Sequence, residues 1–564
     1  MSELPPFIIF FVAALLVVAM RGIVRSTILL AAPAVGGLHL WFNVDPGLIV
    51  SHSILSIDLI VMRTDKLSLL FGYLFCLASF IATLYAWHVK DSAQQLAGLI
   101  YAGAALGAVF AGDLITLFIF WELLALSSVF LIWARRTERA FNAGMRYLVF
   151  QVASGLLLLA GALLHYHKTG TLAFDHIGLE GLAAWLIFIA FGIKCAFPFL
   201  HSWLTDAYPE ATVTGTVFLS AFTTKVAVYA LARGFAGEEI LVYIGVTMAC
   251  FPIFYAVIEN DLRKVLAYSL INQLGFMVAG IGIGTALALN GVVAHAFSHV
   301  IYKGLLFMTM GAVLYRVGNI NGSDLGGLYK SMPKTTALCI VGALSISAFP
   351  LFSGFISKSM VMTAMIEANF DYLWLLLLFA SAGVFHHAGI KIPYFAFFAH
   401  DSGLRPQEAP VNMLIAMTIA AVICIFVGTQ PQYLYALLPW EIDYWPYDAS
   451  HVLAQLQLLF FSALAFVWLN QKGMYPPELH STNLDVEWFY RKLLPRWVHA
   501  TVSLLRALSV SMTNTIRSQL ISIRHGFSQT FVAKYYLSES WPTGSMVFWV
   551  AIILASYLLV DIFG

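Results

Sequence analysis

The sequence contains very little charge for its length. Only 10% of its 564 residues are Asp, Glu, Lys or Arg, whereas about 25% is usual in soluble domains. Hydrophobic residues make up 60%, and the mean hydropathy is +0.85. The formal net charge is +1, and the basic residues are scattered along the chain. This composition excludes a soluble globular domain, does not suggest a nucleic-acid partner, and is typical of a polytopic membrane protein.

Cysteine is also scarce, and no two cysteines form a C-x-x-C pair. This scarcity argues against a disulfide framework, an iron–sulfur cluster or a zinc site, so no cofactor and no metal are expected. The first apolar run has no basic stretch before it and no small-residue cleavage site after it, which favours a retained first helix over a signal peptide. The five cysteines, dispersed in apolar segments, are Cys76, Cys195, Cys250, Cys339 and Cys424.

The sequence is rich in long apolar runs. A transmembrane helix needs about 20 apolar residues, and the runs predict an all-α polytopic membrane protein with about 14–16 transmembrane helices. The candidates lie near 7–23, 27–42, 67–87, 95–112, 114–133, 145–165, 182–204, 212–234, 240–257, 265–285, 290–316, 335–358, 372–399, 411–428, 452–470 and 543–563.

The distribution of Lys and Arg between these runs predicts the orientation. Threading from an outside N-terminus puts most basic loop residues on one side. The other side receives only Arg63, Lys66, Lys168 and Arg233 over the same stretch. By the positive-inside rule the basic side is cytoplasmic, as in a multi-pass protein of a bacterial inner membrane. The predicted segments are 1–94, 95–235, 236–400, 401–470, 471–542 and 543–564.

Segment 471–542 differs from the rest because apolar and polar residues alternate in it. No proline occurs between about Ala500 and Phe531, and Arg506, Arg517 and Arg524 share one helical face. We expect a basic helix that lies along the cytoplasmic interface without a chemical role, followed by a final span.

Six charged residues lie inside apolar runs. A charge at the centre of a bilayer costs at least a few kcal/mol, so such residues usually mark ion or proton pathways. They are Glu122, Lys194, Lys225, Lys303, Lys358 and Lys391.

Two of the runs contain proline in the middle, within 192–201 and within 348–358. Both include the sequence Ala-Phe-Pro, and each has a lysine within a few helical turns. Proline removes a backbone hydrogen bond. The pattern favours two discontinuous helices, one in each of two repeated halves of a transporter fold. An ordinary proline kink is the alternative.

Several longer segments resemble a known family. They occur in the family's order over about residues 95–400. They resemble the proton-conducting antiporter-like subunits shared by respiratory complex I, membrane-bound hydrogenases and Mrp-type Na+/H+ antiporters. Their sequences most resemble the D-type component of Mrp antiporters. The segments are Gly112–Leu124, Gly192–Pro209, Thr224–Arg233, Asp261–Gly275, His295–Phe307 and Pro350–Lys358.

The resemblance implies two inverted-topology repeats, each with a broken helix, and a proton path between them. It implies that Glu122 pairs with Lys194. An ammonium in a low dielectric is pushed toward neutrality and a nearby carboxylate restores its charge, so movement of Glu122 would load or release a proton. The axis would continue through Lys225, His295, His299 and Lys358. Where many members have a proline-rich stretch, this chain has Ala211–Thr216, which leaves the gating of water to Lys225 open.

Histidines add to this axis. His295, His299 and Lys303 recur every four residues and therefore share one helical face. Histidine exchanges protons near neutral pH, so the stripe predicts a relay between Lys225 and Lys358. Lys303 alternatively only ties down its helix.

A second basic cluster, His386, His387 and Lys391, precedes Pro393. Metal binding is disfavoured because no carboxylate or thiol lies nearby in sequence. We expect a proton exit to the outside or to a neighbouring subunit. Asp113 is expected to cap the fifth helix.

Taken together, these features predict a proton-translocating subunit of a multi-subunit Na+/K+ proton antiporter whose partners are the other subunits. The alternatives are a proton pump in a complex I-like or hydrogenase-type redox complex, or in an inorganic-carbon uptake system. A quinone-binding enzyme would need cofactor ligands, and a solute transporter would not need the lysines. The exchanged cation is not indicated, because Glu122 is the only acidic residue clearly at membrane depth.

Overall fold

The computed structural model describes residues 3–54, 57–441, 443–481, 483–531 and 543–563. The chain divides into two compact units, Met1–Asn483 and Leu484–Gly564. Among the described residues, 12 helices are long and apolar enough to cross a membrane, and four shorter helices are apolar as well. Each of these overlaps one of the predicted apolar runs. The polytopic helical fold is therefore confirmed, with three helices, Pro6–Ala19, Gly181–Cys195 and Pro333–Ile346, shorter than the runs that predicted them.

The chain begins with helices and a β-hairpin that the all-α prediction missed. The hairpin strands are antiparallel and rich in β-branched residues, which favour extended backbone. They are too short to register as apolar runs. The Gly112 N–H donates to the Ile60 carbonyl oxygen at 2.9 Å, so the hairpin pairs with the chain just before the fifth helix. The elements are α1 (Pro6–Ala19), α2 (Gly22–Asn43), β1 (Ile49–Ile54), β2 (Ile57–Arg63), α3 (Lys66–Tyr85) and α4 (Ser92–Phe110).

Two groups of helices follow, and one helix of each group, α5 (Leu114–Trp133) and α12 (Leu262–Ile283), begins in the same way. The first group contains α5 (Leu114–Trp133), α6 (Glu138–Thr169), α7 (Gly181–Cys195), α8 (Ser202–Ala207), α9 (Gly215–Ala221) and α10 (Thr223–Gly234). The second contains α11 (Ile240–Ile258), α12 (Leu262–Ile283), α13 (Ala286–Val317), α14 (Pro333–Ile346), α15 (Ser353–Glu367), α16 (Asp371–Val384) and α17 (Lys391–Pro393), with π-helical turns at Phe385–Ile390 and Tyr394–Phe398.

The matching starts support an internal repeat. Asp113 caps α5 by accepting hydrogen bonds from the Ile115 and Thr116 N–H groups, which confirms its predicted role. Asp261 caps α12 in the same way. Each aspartate also forms an isolated antiparallel bridge, Asp113 with Ala173 and Asp261 with Asn321. Both pairs recur at a spacing of 148 residues, which agrees with two copies of one unit.

The two proline-containing spans are broken rather than kinked. Helix α7 ends at Cys195 and α8 begins at Ser202, while α14 ends at Ile346 and α15 begins at Ser353. At the breaks Ala196 has φ +62° and Ala348 has φ +56°, a left-handed conformation that is uncommon for residues other than glycine. The shared Ala-Phe-Pro sequence thus adopts the same turn twice. The predicted run 335–358 ended too early, because α15 continues to Glu367.

A third break was not expected, because no proline marks it. Phe222 separates α9 from α10 with φ −106° and ψ −67°. The Thr223 N–H released by the break donates to the Tyr101 hydroxyl at 3.1 Å, and the Thr223 and Tyr101 hydroxyls lie 2.6 Å apart. Neighbouring side chains therefore satisfy the freed backbone, as a broken helix in a membrane requires.

The remaining helices close the first unit and form the second. The first unit ends with α18 (Val411–Thr429), α19 (Pro431–Tyr435) and α20 (Ala449–Gln471). The second unit contains a π-helical turn at Phe489–Leu493, α21 (Leu494–Phe531) and α22 (Thr543–Phe563). Helix α21 confirms the helix predicted over about 500–531 but begins earlier. Its position along a membrane interface stays a prediction.

Candidate functional site

Glu122 and Lys194 come together where α5 passes the end of α7. Lys194 is fully buried and donates a hydrogen bond to the Trp121 carbonyl oxygen at 2.5 Å, while its Nζ lies 4.5 Å from the centre of the Trp121 ring. Glu122 is near enough for its charge to act on Lys194. Its buried Oε1 has no hydrogen-bond partner among the described residues. The lysine is therefore anchored to the backbone directly beside a carboxylate that keeps an unused acceptor.

Helix α6 leaves room for this carboxylate by placing glycine opposite it. A Cβ atom at Gly155 would overlap Oε1 of Glu122. Next to it, the Trp121 indole N–H donates to the Ser154 hydroxyl at 2.9 Å, and Ser154 donates to the Ala190 carbonyl oxygen at 2.7 Å. These contacts set the position of the ring against which Lys194 packs.

The proton path that the sequence resemblance implies predicts that Gly155→Ala lowers proton transport by at least about tenfold, because misplacing a reacting group by about 1 Å is enough for such a loss. The end of the glutamate side chain can move aside, so the variant should still fold. Transport assayed in membrane vesicles, with expression as the reference, measures the effect. Gly304→Ala is the matched control, since nothing lies within 4 Å of a Cβ there. Equal transport by both variants would contradict the assigned position of Glu122.

Lys225 lies directly after the break between α9 and α10. It is fully buried, and its Nζ donates to the Ser220 carbonyl oxygen at 2.9 Å and to the Thr224 hydroxyl at 3.1 Å. The break supplies the first of these acceptors, because it frees a carbonyl that a continuous helix would use internally. Lys225 is thus held by neutral oxygens, with no carboxylate bonded to its ammonium among the described residues.

The loop before α9 is held from the second group of helices. The Arg263 side chain of α12 is buried and donates to the carbonyl oxygens of Pro209 and Ala211 at 3.0 and 3.1 Å, as well as to the Thr216 hydroxyl. An arginine therefore fixes the Ala211–Thr216 loop in this chain. These hydrogen bonds restrain the loop, as prolines in the loop would do.

The predicted histidine stripe exists and extends to α15. His295 Nδ1 lies 3.0 Å from the Ser357 hydroxyl, and the rings of His295 and His299 are 6.3 Å apart. Tyr302 donates to Oε1 of Gln273 at 3.0 Å, and its hydroxyl lies 3.5 Å from Nε2 of His295. Both ring nitrogens of His299 are buried without a partner among the described residues. A ring in that state is available to accept or donate a proton.

Lys303 and Lys358 lie on opposite sides of the histidines. Lys303 is fully buried, and its hydrogen bond to the Leu266 carbonyl oxygen is long at 3.3 Å. Among the residues that the structure describes, Lys358 makes two hydrogen bonds, both long at 3.4 Å, to the Ile346 carbonyl oxygen and the Ser381 hydroxyl. A cavity of about 590 Å³ reaches Lys358. Its polar lining includes Lys358, Ser359, Thr363, Ser381, His451 and Gln455.

Lys391 has a partner that the sequence did not reveal. Its Nζ lies 2.9 Å from Oε1 of Glu478, and the two side chains are 0% and 5% exposed. Glu478 belongs to the polar segment after α20, which was predicted to lie outside the membrane, and no sequence signal distinguishes it there. Lys391 also donates to carbonyl oxygens at the end of α11, those of Val257 and Glu259 at 2.7 Å.

That position differs from the expected one. The end of α11 adjoins Arg263 and Lys264, which the charge distribution assigns to the cytoplasmic side. An exit through Lys391 to the outside therefore does not fit, because Lys391 lies at the opposite end of its span from the outer loops.

The candidate residues form a connected set. His295 is within range of the charges of both Lys225 and Lys358, and His299 is within range of Lys225 and Lys303. His387 is within range of Lys303 and Lys391. From Lys225, one branch thus leads through His295 to Lys358 and its cavity, and another leads through Lys303 and His387 to Lys391.

A family model matches most of the helices that carry these residues. The model described as NADH:quinone oxidoreductase/Mrp antiporter, TM, matches residues 111–385, from the cap of α5 to the end of α16. The chain belongs to this family. The matched region of this antiporter-like chain contains every residue proposed for the path except His387 and Lys391, and it does not reach Glu478.

Curated relatives include both antiporter and hydrogenase components. The A component of the Na+/H+ antiporter of Alkalihalophilus pseudofirmus is 30% identical over 446 residues, 69% of this chain and 55% of that protein. Hydrogenase-4 component B of Escherichia coli is 26% identical over 428 residues, 66% and 63% of the two chains. The D component of the A. pseudofirmus antiporter is 28% identical over 342 residues, 56% and 69%. The antiporter-like chain spans less than two thirds of the first two relatives.

Solved structures share the fold. A chain of the Mrp complex from Dietzia sp. superposes with a TM-score of 0.79 at 23% identity, covering 96% of this chain and 64% of that one. A chain of the membrane-bound sulfane sulfur reductase, an archaeal respiratory membrane complex, gives 0.71 at 23% identity, covering 99% and 100%. The antiporter-like fold thus occurs in both kinds of assembly.

Proposed function

We propose that this chain is the proton-translocating subunit of a multi-subunit monovalent cation/proton antiporter in a bacterial inner membrane, exchanging H+ for Na+ or K+. The observation that carries the proposal is the connected set of buried basic side chains. Burying one such group without a counter-charge is expensive, and a purely structural role does not account for six. The set consists of Lys194, Lys225, His295, His299, Lys303 and Lys358.

In this proposal each buried lysine holds one proton at a time. Movement of Glu122 toward or away from Lys194 changes the electrostatic stabilisation of the ammonium and so loads or releases its proton. Lys225 receives the charge and passes it to the histidine stripe, where the free ring nitrogens of His299 can accept it. Crossing the membrane couples each charge to the potential, about 2.3 kcal/mol per 100 mV. The names of the two Na+/H+ antiporter relatives support a cation gradient as the coupled quantity.

The cavity at Lys358 would connect this path to the outer side. Its lining includes Ile366 and Trp374, which flank the turn between α15 and α16, and His451 at the start of α20. The orientation predicted from the distribution of Lys and Arg puts the turn between α15 and α16 and the start of α20 on the outer side of the membrane. The His451 side chain pairs there with Asp448, so titratable groups line the cavity near its outer end. Water in this cavity would exchange protons with Lys358.

Cysteine labelling tests the water-filled cavity. Ser359→Cys is expected to react with a membrane-impermeant, positively charged thiol reagent added from outside, because Ser359 lines the cavity. Ser357→Cys is the matched control and should stay unlabelled, because Ser357 is fully buried against His295. The unsubstituted chain gives the background from its five cysteines. No labelling above that background at position 359 would mean that lipid or protein, not water, fills the cavity.

A proton-pumping subunit of a redox complex is the second candidate. It is favoured by the full-length match to a chain of the sulfane sulfur reductase and by the hydrogenase-4 relative. The assembly made by this chain with its genomic neighbours, studied in inverted vesicles, separates the two. The antiporter predicts proton movement on addition of Na+ or K+ without any reductant. Proton movement only with an electron donor would instead establish the redox pump.

A further inference from the structure

The carboxylate of Glu478 reaches a buried lysine from outside the helical repeat. Lys391 and Glu478 are both almost fully buried and 2.9 Å apart. Glu259 lies next to them and pairs with Lys264 at 3.1 Å. Burial raises the pKa of the Glu478 carboxyl, and the Lys391 ammonium opposes that rise. A buried ion pair of this kind adds little net stability compared with apolar packing, so its presence suggests another role.

The segment that carries Glu478 is fixed at several points. The His480 ring lies 3.0 Å from an Asp324 carboxylate oxygen, and the Asn483 amide donates to Oε2 of Glu259 at 3.2 Å. These anchors tie residues 473–481 and Asn483 to the chain just after α11 and just after α13, on the side assigned to the cytoplasm. We call residues 473–481 the cap segment. It places Glu478 beside Lys391.

The two halves of the fold differ in where their carboxylate comes from. In the first half Glu122 lies on α5, nine residues after the capping Asp113. The corresponding residue on α12, nine after Asp261, is Leu270, which is apolar and fully buried. The polar residues closest to it along that helix, Ser269, Asn272 and Gln273, carry no charge. The second half therefore lacks a carboxylate at the place where the first half has one.

We propose that Glu478 supplies this missing carboxylate. We further propose that the Lys391–Glu478 pair is the point at which protons from the cytoplasm enter the second half of the fold. The inference rests on the proposed function. It adds Glu478 to the residues that support the proton path and gives the path a direction, from the cytoplasm to the outside. Protons from the cytoplasm reach Lys391 beside the cap segment and pass through His387 and Lys303 to Lys225. From Lys225 they pass through His295 to Lys358 and leave through the outer cavity. Glu478 acts as a positioning residue that holds the charge of Lys391.

Two variants at position 478 and one at position 480, assayed in inverted vesicles with the genomic neighbours, test the proposal. Glu478→Gln keeps the shape and removes the charge, and the maximal rate of cation-driven proton movement should fall at least about tenfold, the effect of about 1.4 kcal/mol. The cation concentration for half-maximal rate should stay unchanged, because Glu478 holds a proton carrier and not the cation. Glu478→Asp should recover a large part of the rate. His480→Ala, which removes another anchor of the cap segment, should leave the rate near that of the unsubstituted chain.

If Glu478→Gln fails to assemble, a double variant still tests the proposal. Lys391→Gln combined with Glu478→Gln removes both charges, leaves no unpaired buried charge, and should assemble normally. Its rate should still be low. A normal rate in this double variant or in Glu478→Gln would overturn the inference, as would an equal loss in His480→Ala. If the unsubstituted assembly itself shows no cation-driven signal, the proposed antiport function fails instead, so the two failures are distinguishable.

Discussion

Replacing Lys225 with alanine is expected to reduce cation-driven proton movement to background, the largest functional effect that the structure predicts. Lys225 is the junction between the Lys194 region and both branches of the path, and its charge reaches His295, His299 and Lys303. No other described amine in its surroundings bridges these groups. A pH-sensitive dye in inverted vesicles measures the loss.

The matched control is Lys330→Ala. Lys330 pairs with Asp401 at 2.6 Å, and the two side chains are 44% and 41% exposed. Exposed pairs contribute about 0–1 kcal/mol, so transport should be unaffected. Arginine at position 225 is a further test, because it keeps the charge but does not release its proton. Substantial transport in Lys225→Ala, or in Lys225→Arg, would show that protons take another route.

Replacing Asp113 with alanine is expected to cause the largest loss of stability. This carboxylate is 2% exposed and accepts hydrogen bonds from the Ile115 and Thr116 N–H groups, the Thr116 hydroxyl and the Ile60 N–H, all between 2.6 and 2.9 Å. It joins the start of α5 to the hairpin. Losing these bonds should cost about 3–5 kcal/mol, since hydrogen bonds to a charged group are each worth about 1.5–3 kcal/mol and the site relaxes in part. Thermal unfolding in detergent gives the measurement.

Asp91→Ala provides the comparison. Asp91 also caps a helix, α4, by accepting from the Ala93 and Gln94 N–H groups, but its surroundings are more exposed. A cap of this kind contributes about 1 kcal/mol. The melting temperature should therefore fall much less for Asp91→Ala than for Asp113→Ala. Equal shifts would mean that the link between α5 and the hairpin adds nothing to stability.

Several features of the fold follow from local patterns in the sequence. Apolar runs of spanning length predict helices because the bilayer leaves backbone groups no other partner. The two broken spans are predictable because proline and glycine weaken the helix where Ala-Phe-Pro occurs. The cap at Asp113 is predictable because a short acidic side chain before an apolar run satisfies free N–H groups.

Other features depend on contacts between distant parts of the chain. The break at Phe222 has no proline or glycine and exists because Tyr101, on another helix, accepts the freed N–H. Glu478 lies in a polar stretch and becomes a buried counter-ion only where the chain folds back onto Lys391. The partners of Lys391 also required the structure, since a position near the end of an apolar run does not show which groups surround it. Charge pairs of this kind are three-dimensional and leave no periodic signal.

The central claim is that protons move along the Glu122 and Lys194 axis in exchange for a cation. The most direct test is Na+- or K+-induced proton movement in inverted vesicles containing this chain and its genomic neighbours, compared with Glu122→Ala and Lys194→Ala. The account predicts a signal for the unsubstituted chain and its loss in both variants while the complex remains assembled. Retention of the signal in either variant, or no cation-driven signal at all from the unsubstituted assembly, would contradict it.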